Sequence, residues 1–454
     1  MDTIQESARQ TPVLASVDVL VVGSGPAGLA AAIAAAREGV TTMIVERYGC
    51  FGGVISQVGV EGFAWYRHRD TVEAGGLAFE FEREADALGG ARPECQSDSK
   101  ALDAEMFKYV ADRMLLKAGV IPLLHCTAVA AMVEDGRVRG IITESKSGRL
   151  AIRAGRVVDC SGDADVAALA GALFHKAPKK DLMSVTQLFN CCGVDAETFR
   201  RHVETELKPT YKDWGGYWSI VTSGKEDSLF SPYLETPFVE AIKDGLIPKD
   251  EGVSLGGTWS SVTANGDVTQ LNMVFQGGID ATDVQDLTRA EIMGRENALR
   301  ALRVLQERVP GFRQARLRNF GMTLGVRETR QIDGQYALTE HDVFNQARFE
   351  DSIGIFPEFI DGCGYLIIPT TGRYFHLPYR ALVPRGVDNL LVAGRCISGD
   401  RLAHSAFRNM ACCVVTGQGA GVAAAVSVKD RVGIAAVDVG KVQKRLERQG
   451  VRVF

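Results

Sequence analysis

Three glycines and one acid near the start of the chain have the spacing of a nucleotide-binding turn. Gly23, Gly25 and Gly28 follow the apolar run VDVLVV, and Glu46 closes the next apolar run, TTMIVE. At such a turn the first glycine allows a sharp bend, the second lets the backbone approach a pyrophosphate, and the third lets the helix pack against the strand. An acid about 20 residues further on accepts hydrogen bonds from a ribose. The pattern predicts a site for the ADP half of a dinucleotide.

A strand, a helix and a second strand are needed to position these residues. The two apolar runs predict buried β-strands, and residues 26–37 predict the helix between them. At Pro26 and Ala27 the helix would point its free N–H groups and the positive end of its dipole at the phosphates. The Gly52-Gly53 pair that follows predicts a second close approach of backbone to the cofactor, the alternative being an ordinary loop.

The bulk composition is that of an ordinary globular protein. The chain has 454 residues, of which 46% are hydrophobic and 24% charged, and this length indicates roughly two or three domains. The net charge of −5 shows no excess of basic residues, so we expect no nucleic-acid partner. Residues 1–16 lack the cationic and apolar regions of a signal peptide and are expected to be flexible.

The cysteines and the longest apolar run predict neither a metal site nor a membrane span. The ten cysteines contain no CxxC pair, and zinc, ferredoxin and thioredoxin spacings are missing, which favours buried thiols in a reducing compartment, the cytoplasm. The apolar run at residues 411–428 is long enough to cross a bilayer. Its many small residues and central GQGAG instead predict a helix packed closely inside a sheet protein.

The next part of the chain predicts a helix at 101–118 and then an antiparallel meander. Its short strands are expected at residues 125–134, 137–144, 149–154 and 156–160. The last strand ends at Ser161 and Gly162, a glycine turn at the carboxyl end of a strand, where ligands bind in open α/β sheets.

Residues 176–375 have a different sequence pattern from the preceding part of the chain. They contain Trp214, Trp218 and Trp259, which either pack in a core or line a substrate pocket. No second GxGxxG follows a strand there, so we predict no separate NAD(P)H domain. After residue 376 the α/β pattern returns, with a predicted strand at 390–393.

The fold class is therefore predicted as α/β: a Rossmann-like domain, with a parallel sheet and a β-meander, interrupted by a mixed α+β substrate domain. The nucleotide-binding domain would comprise residues 17–60, 101–175 and 376–454. The substrate or cap domain would comprise residues 61–100 and 176–375.

The combined motifs resemble a known superfamily. GSGPAG with its acid, the following GG, the CSGDAD turn and LLVAGRCISGD…GQGAGVAAA are similar to FAD-dependent oxidoreductases of the glutathione-reductase superfamily, most closely the branch of fumarate reductase and succinate dehydrogenase flavoproteins. GVRETRQIDGQYALTEHDV at 325–343 resembles a large family of FAD-dependent oxidoreductases. No histidine stands where the covalent members attach flavin, so we expect non-covalent FAD.

The resemblance implies a role for each matching residue along the FAD. Those implied at the pyrophosphate are Gly23, Gly25, Pro26 and Ala27, with Gly52 and Gly53 reaching the flavin edge. Those implied at the adenosine are Glu46, Arg47, Ser161, Gly162 and the backbone of Val129 or its neighbour Ala128. Those implied at the pyrophosphate and ribityl chain are Gly394, Arg395 and Asp400. The last long helix, beginning near Asn409 and Met410, would aim its N-terminus at the N1–C2=O edge of the flavin.

Such an enzyme also needs a proton-transfer group. His404 is the first candidate, because imidazole titrates near neutral pH; the alternative is a histidine bonded to cofactor or backbone. His376 is the second. The fumarate-reductase branch has a substrate arginine where our alignment places His404, followed by Arg408, so a dicarboxylate clamp is not expected.

Two further arginines have alternative roles. Arg330 and its neighbour Arg327 would bind an anionic substrate or the flavin pyrimidine edge. Alternatively, they form buried ion pairs with Glu328 or Asp333.

The leading functional hypothesis is an FAD enzyme that oxidises a small organic substrate and passes electrons to oxygen, a quinone or a carrier protein. The alternatives are an ene-reductase of the fumarate-reductase type, an NAD(P)H-dependent flavin hydroxylase and, from another class, a non-catalytic electron-relay subunit. A homo-oligomer is left open.

Overall fold

The computed structural model describes residues 2–215, 218–221, 224, 227–368 and 372–454. The strands, numbered in chain order, are β1 (Val13–Val22), β2 (Thr42–Val45), β3 (Ala91–Pro93), β4 (Lys100–Leu102), β5 (Ile121–Leu123), β6 (Thr127–Glu134), β7 (Arg137–Ser145), β8 (Gly148–Asp159), β9 (Phe174–Lys176), β10 (Val185–Thr186), β11 (Phe189–Cys192), β12 (Ser219–Val221), β13 (Tyr233–Leu234), β14 (Val253–Thr258), β15 (Ser261–Val262), β16 (Val268–Gln276), β17 (Arg316–Phe320), β18 (Arg330–Ile332), β19 (Ser352–Pro357), β20 (Ile360–Gly362), β21 (Tyr365–Ile367), β22 (Tyr374–Pro378) and β23 (Leu390–Val392).

The α-helices are α1 (Pro26–Arg37), α2 (Leu77–Ala87), α3 (Ala104–Lys117), α4 (Asp165–Leu169), α5 (Ala196–Arg201), α6 (Thr236–Lys243), α7 (Val284–Arg308), α8 (Glu340–Phe344), α9 (Arg401–Phe407), α10 (Met410–Asp430) and α11 (Val439–Arg448). Short 3₁₀ or π turns lie at Val54–Val58, Lys179–Asp181, His202–Leu207, Tyr211–Asp213, Tyr379–Leu382 and Ile434–Ala436.

A mixed sheet forms the centre of the nucleotide-binding domain. Strands β5, β2, β1, β8 and β23 are parallel, and β7 and β6 continue from β8 as an antiparallel meander. The α/β fold predicted from the sequence is confirmed, including its β-meander. One detail differs, because the strands predicted at 149–154 and 156–160 are the single strand β8. Gly155 lies against β1, where a Cβ would be 2.9 Å from the Asp18 carbonyl oxygen, so this glycine permits close strand packing and makes no turn.

The first strand begins earlier than the sequence indicated. Residues 13–16, predicted as part of a flexible segment, belong to β1, and Val13 pairs with Ala151. The reason is the length of β8, which offers pairing partners to the extended chain well before the apolar run starts. Residues 2–12 have no helix or strand.

Helix α10 is the central element of the largest core and packs directly against α1. A Cβ on Gly417 would lie 2.1 Å from the Ala27 carbonyl oxygen, and one on Gly421 would lie 2.2 Å from that of Ala31. The two helices thus approach backbone to backbone. The helix is long and apolar enough to cross a membrane, but 94% of its apolar window is buried inside the protein, which agrees with the predicted core helix.

The second domain is built on another sheet. Its strand order is β13-β14-β16-β11-β17, with β10 and β15 also paired to β16. Helix α7 packs on this sheet, and Phe199, Trp259 and Phe312 form part of its separate core. Trp259 is therefore a core residue, one of the two roles considered for the tryptophans.

Parts of the predicted cap belong to the nucleotide-domain core. Leu77, Ala78 and Phe81 of α2 pack in the same core as α1 and α10, and the Leu77 amide donates to the Gln418 side chain (3.0 Å). The pair of strands β19 and β22 also joins this core. The structure thus packs α2, which lies in the predicted cap segment 61–100, in one core with α3 and α10, and residue 376, the predicted start of the last nucleotide-domain segment, lies inside β22.

The α1–α10 contact gives a testable consequence. We expect Gly417→Ala to lower the free energy of unfolding by about 1–3 kcal/mol, although alanine favours helices, because the added methyl group would overlap the Ala27 carbonyl oxygen. Gly277→Ala is the control, since its nearest atom would be 3.7 Å away. Chemical denaturation of both variants measures the difference. Equal stabilities would mean that the helices can separate without cost.

Candidate functional site

One cavity of about 760 Å³ lies where the two domains meet. It is bordered by the glycine-rich turn on one side and by strands of the second sheet on the other. The predicted site residues on its wall are Gly23, Gly25, Pro26, Ala27, Glu46, Arg47, Gly53, Ser161, Gly162, Gly394, Arg395, Arg408, Asn409 and Met410. Residues from all three predicted nucleotide-domain segments are therefore brought together.

The glycine-rich turn has the shape that a phosphate group needs. Gly23 has φ +92°, and a Cβ there would lie 2.4 Å from the Cys160 carbonyl oxygen. A Cβ on Gly28 would lie 1.9 Å from the Gly23 carbonyl oxygen. Gly25, in contrast, has nothing within 4 Å of where its Cβ would be and faces the cavity. Two glycines thus close the turn and the third leaves open space above the first turn of α1, which fits a pyrophosphate.

The following glycine pair packs on this turn. A Cβ on Gly53 would be 2.4 Å from the Gly25 Cα. Gly52, which has φ +114°, does not line the cavity and donates its amide to the Ser24 carbonyl oxygen (3.0 Å). The pair therefore supports the nucleotide turn, and Gly53 is the member that reaches the cavity.

Glu46 is buried at the end of β2 and holds the turn. Its carboxylate accepts hydrogen bonds from the Ser24 amide (3.0 Å), the Ser24 hydroxyl (2.6 Å) and the Tyr48 amide (3.0 Å). Since the same carboxylate lines the cavity, it is placed to accept a ribose hydroxyl as well. At the predicted adenine position Ala128 lines the cavity and Val129 does not.

Arg395 is fixed over the second glycine turn. Its Nη2 donates to Asp163 Oδ1 (2.6 Å), which also accepts from the Thr329 hydroxyl (2.6 Å). Burial alone would raise the pKa of Asp163, but the charge of Arg395 and the Thr329 hydrogen bond outweigh it and hold that pKa below its ordinary value. Gly162 (φ +84°) lies under the guanidinium, where a Cβ would be 2.7 Å from Nη1. The arginine is thus a fixed positive charge on the cavity wall.

The N-terminus of α10 opens on the cavity without a side-chain cap. Asn409 occupies the capping position, but its Nδ2 donates back to the carbonyl oxygens of Ser405 (3.0 Å) and Ala406 (2.8 Å). The first amides of a long helix therefore carry no side-chain acceptor, which suits an electron-rich ligand edge.

The predicted proton-transfer residues lie away from the cavity wall. His404 is buried on α9, beside Phe407, and is hydrogen-bonded to the Arg395 backbone. Burial, and then the charges of Arg408, Arg395 and Arg401, hold its pKa well below the ordinary value. His376 is buried in β22, where Nδ1 accepts from the Phe349 amide (3.2 Å). Neither lines the cavity; their catalytic roles stay predictions.

Two other predicted residues have structural partners. Arg330 donates to Asp165 Oδ1 (2.9 Å) and to the Asp163 carbonyl oxygen (3.0 Å), so it forms an ion pair with neither of the acids expected. Asp400 caps α9 by accepting from the Ala403 amide (2.8 Å) and does not line the cavity. Asp163 joins two arginines to the second glycine turn, because its carbonyl oxygen accepts from Arg330 and its carboxylate accepts from Arg395.

The remainder of the wall is aromatic. Trp65 stacks on Trp214 with ring centroids 5.9 Å apart, Trp214 stacks on Tyr233 at 5.3 Å, and Trp218 meets Trp214 edge-on at 5.8 Å. All four rings line the cavity, and Trp214 also belongs to the buried core. Tyr233 was missed, since a single tyrosine in a short strand gives no sequence signal.

Beside this wall lies a buried acidic network that the sequence did not indicate. Glu94 accepts from the Ser260 hydroxyl (2.9 Å), and the Gln270 side chain, which lines the cavity, accepts from the amides of Glu61 (2.5 Å) and Gly62 (2.7 Å). Burial raises the pKa of Glu94 to about 8, with a further contribution from Glu61. No group of three or more His, Cys, Asp or Glu that could hold a metal ion exists among the described residues.

The protein combines a parallel sheet with a glycine turn under a helix N-terminus and a buried glutamate placed to bind a ribose. A second domain lines the same cavity. These features define a dinucleotide-binding oxidoreductase. More particularly, the chain belongs to the FAD dependent oxidoreductase family, whose model matches residues 18–446. It is thus an FAD enzyme, and a non-catalytic relay subunit is not supported.

Two curated relatives match part of the chain. Digeranylgeranylglycerophospholipid reductase 1 of Methanopyrus kandleri is 30% identical over 215 residues, which are 46% of this chain and 55% of the relative. Reductase 2 of the same organism is 29% identical over 220 residues, 46% of this chain and 52% of the relative. The chain thus spans about half the length of the curated relatives it matches.

Among solved structures, a geranylgeranyl bacteriochlorophyll reductase-like protein from Thermoplasma acidophilum aligns with 95% of this chain and 83% of its own, at 14% identity and a TM-score of 0.47. The p-nitrophenol 4-monooxygenase of Pseudomonas putida aligns with 96% and 85%, at 11% identity and a TM-score of 0.47.

The contrast between two glycines separates folding from cofactor binding. We expect Gly25→Ala to leave the stability of the FAD-free protein unchanged, because its Cβ has free space and its φ of −63° suits alanine, but to abolish FAD retention. Gly23→Ala, at φ +92°, should destabilise even the FAD-free protein by more than about 1 kcal/mol. Flavin absorbance of the purified variants and denaturation of the apoproteins test both. Full FAD content in Gly25→Ala would contradict the assignment of this turn to FAD binding.

The raised pKa of Glu94 predicts a pH dependence of stability. Between about pH 5 and pH 8 the folded protein keeps a proton that the unfolded chain has released, so the free energy of unfolding falls as pH rises, by at most about 1.4 kcal/mol per pH unit. Glu94→Gln, which mimics the neutral acid, should make this slope less steep. Glu80→Gln, in a surface ion pair with Arg37, is the matched control. An unaltered slope in Glu94→Gln would show that Glu94 is ionised throughout.

Proposed function

We propose that the protein removes a hydride from a small organic substrate and delivers it to N5 of FAD, with the electrons passing to oxygen, a quinone or a carrier protein. The observation that carries this proposal is that the nucleotide-binding residues and the rings of Trp65, Trp214, Trp218 and Tyr233 line one cavity. A substrate held by these rings would share that cavity with the cofactor. The flat aromatic walls would also exclude water from the reacting atoms.

The chain supplies fixed groups for both partners. Bound FAD provides the two-electron acceptor. The open turn at Gly25 and the first amides of α1 bind the pyrophosphate, and Glu46 binds the ribose. At the other end of the cavity the uncapped N-terminus of α10, at Asn409 and Met410, favours negative charge on the pyrimidine edge.

A proton must also leave the substrate, and His404 is the proposed acceptor. Because its pKa is well below the ordinary value, the imidazole is neutral at neutral pH, and a neutral imidazole can accept a proton. Its Nδ1 has no hydrogen-bond partner among the described residues. The surrounding arginines oppose its protonation.

Reduction of a substrate by the flavin is the second candidate function, and the observation that favours it is the reductase activity named for both curated relatives. In this direction the same cavity would hold substrate and cofactor. The substrate would receive a hydride from the flavin and a proton. We place the protein in the cytoplasm, which is supported by the cysteine pattern alone, and leave a homo-oligomer open.

Anaerobic titration distinguishes the two directions. NADH, then NADPH, then panels of alcohols, amines and organic acids are added to the purified flavoprotein while its visible band is followed. We expect no rapid bleaching by either nicotinamide and bleaching by one class of organic compound. Free FAD at the same concentration controls for direct reaction of the additives with flavin.

Rapid bleaching by NADH or NADPH would overturn the organic substrate as electron donor. The reduced flavin would then be tested for reduction of unsaturated compounds and, in air, for hydroxylation.

A further inference from the structure

Two neighbouring arginines line the cavity, and one of them has no acidic partner in salt-bridge range among the described residues. Arg327 and Arg408 both line the cavity, and burial, followed by the charge of Arg408, lowers the pKa of Arg327 to about 10. The inference drawn from this pair rests on the proposed function, in which substrate and FAD share the cavity.

Arg327 is held in place by neutral groups. Its Nη1 donates to the Ser184 carbonyl oxygen (2.8 Å) and to the Thr186 hydroxyl (3.3 Å), and its guanidinium lies over the Phe275 ring, 5.2 Å from the centroid. Within the described part of the chain no carboxylate lies in salt-bridge range of it. Its direction is therefore fixed while its charge is left without a counterion.

The neighbouring charges do not supply that counterion. Arg408 uses Asp361, donating to its carboxylate (3.2 Å) and carbonyl oxygen. Arg401, also on the wall, is paired with Glu328 (3.4 Å). Arg408 and Arg401 thus each have an acidic partner, whereas Arg327 has none within salt-bridge range among the described residues. Glu235 and Asp181 line the cavity too, but neither forms a salt bridge with Arg327.

A cation on the wall of a largely buried cavity is costly unless an anion joins it. The planar guanidinium favours a carboxylate, which it binds through two parallel hydrogen bonds. The rings of Trp65, Trp214 and Trp218 offer flat apolar faces in the same cavity, which suit a planar apolar body. We propose that the substrate is an organic carboxylate with a flat apolar body, and that Arg327 binds its carboxylate.

Binding to the oxidised holoenzyme tests this proposal without turnover. Benzoate and its neutral analogue benzamide are titrated separately while the visible flavin band is followed. We expect a saturable change with benzoate at a Kd at least tenfold below that of benzamide. Arg327→Gln should raise the Kd for benzoate at least tenfold and leave that for benzamide unchanged, and Arg327→Lys should recover part of the affinity. Arg295→Gln, on the exposed face of α7, is the matched control and should behave as the wild type.

The outcomes separate this proposal from others. Equal affinities of the wild-type protein for benzoate and benzamide, or no change with either, would overturn the carboxylate site, and this result does not depend on how any variant folds. Loss of FAD from a folded Arg327→Gln protein, with FAD kept in Arg327→Lys, would assign the arginine to the cofactor instead. A wild-type protein purified without FAD would contradict the proposed function itself.

Discussion

The backbone around Gly25 touches other segments at distances that leave no space for a side chain, and the arrangement of the site depends on these contacts. A Cβ added at Gly53 would overlap the Gly25 Cα, and one added at Gly28 would overlap the Gly23 carbonyl oxygen. A Cβ added at Gly417 would overlap the carbonyl oxygen of Ala27. Because peptide groups rather than side chains are in contact, the N-terminus of α1 is held in one place by main-chain geometry. Side-chain packing can adapt to a lost methyl group, but backbone in contact with backbone cannot move closer. The same contacts set the distance between α1 and α10, the two helices whose N-termini border the cavity.

Charge is distributed along the cavity in two different ways. Near the glycine turns two charged groups are satisfied by the protein: Arg395 is paired with Asp163, and Glu46 accepts three hydrogen bonds. Such groups present fixed charges and need no rearrangement when a ligand binds. Near the aromatic wall, Arg327 lacks an acidic partner among the described residues. Paired groups suit a cofactor that is always the same, while the unpaired charge of Arg327 suits the anionic substrate proposed above.

The sequence predicted the parts of this protein that depend on neighbouring residues. Pro26–Arg37 has the predicted bounds of the first helix, and Met410–Asp430 contains the predicted core helix, because helix signals and glycine spacing are local. What failed was determined by distant residues. The apolar face of α2 gave no indication that α10 would cover it, and the ion pair of Arg330 is with Asp165, far away in the chain. His404 and His376 were chosen by residue type, but residue type does not reveal burial. Both are buried and do not line the cavity.

Ring contacts fix the aromatic wall to the core of the nucleotide-binding domain. Trp65 meets the Phe359 ring edge-on with centroids 4.9 Å apart, and Tyr66 stacks on Phe359 at 4.6 Å. Phe359 and Tyr66 are fully buried in the core that also contains α1 and α10. A substrate stacked on Trp65 would therefore be positioned by the same core that positions the N-terminus of α10. Hydride transfer requires that two reacting atoms be held at close range, and a wall anchored in the cofactor's own core meets this requirement more directly than a wall on an independent domain.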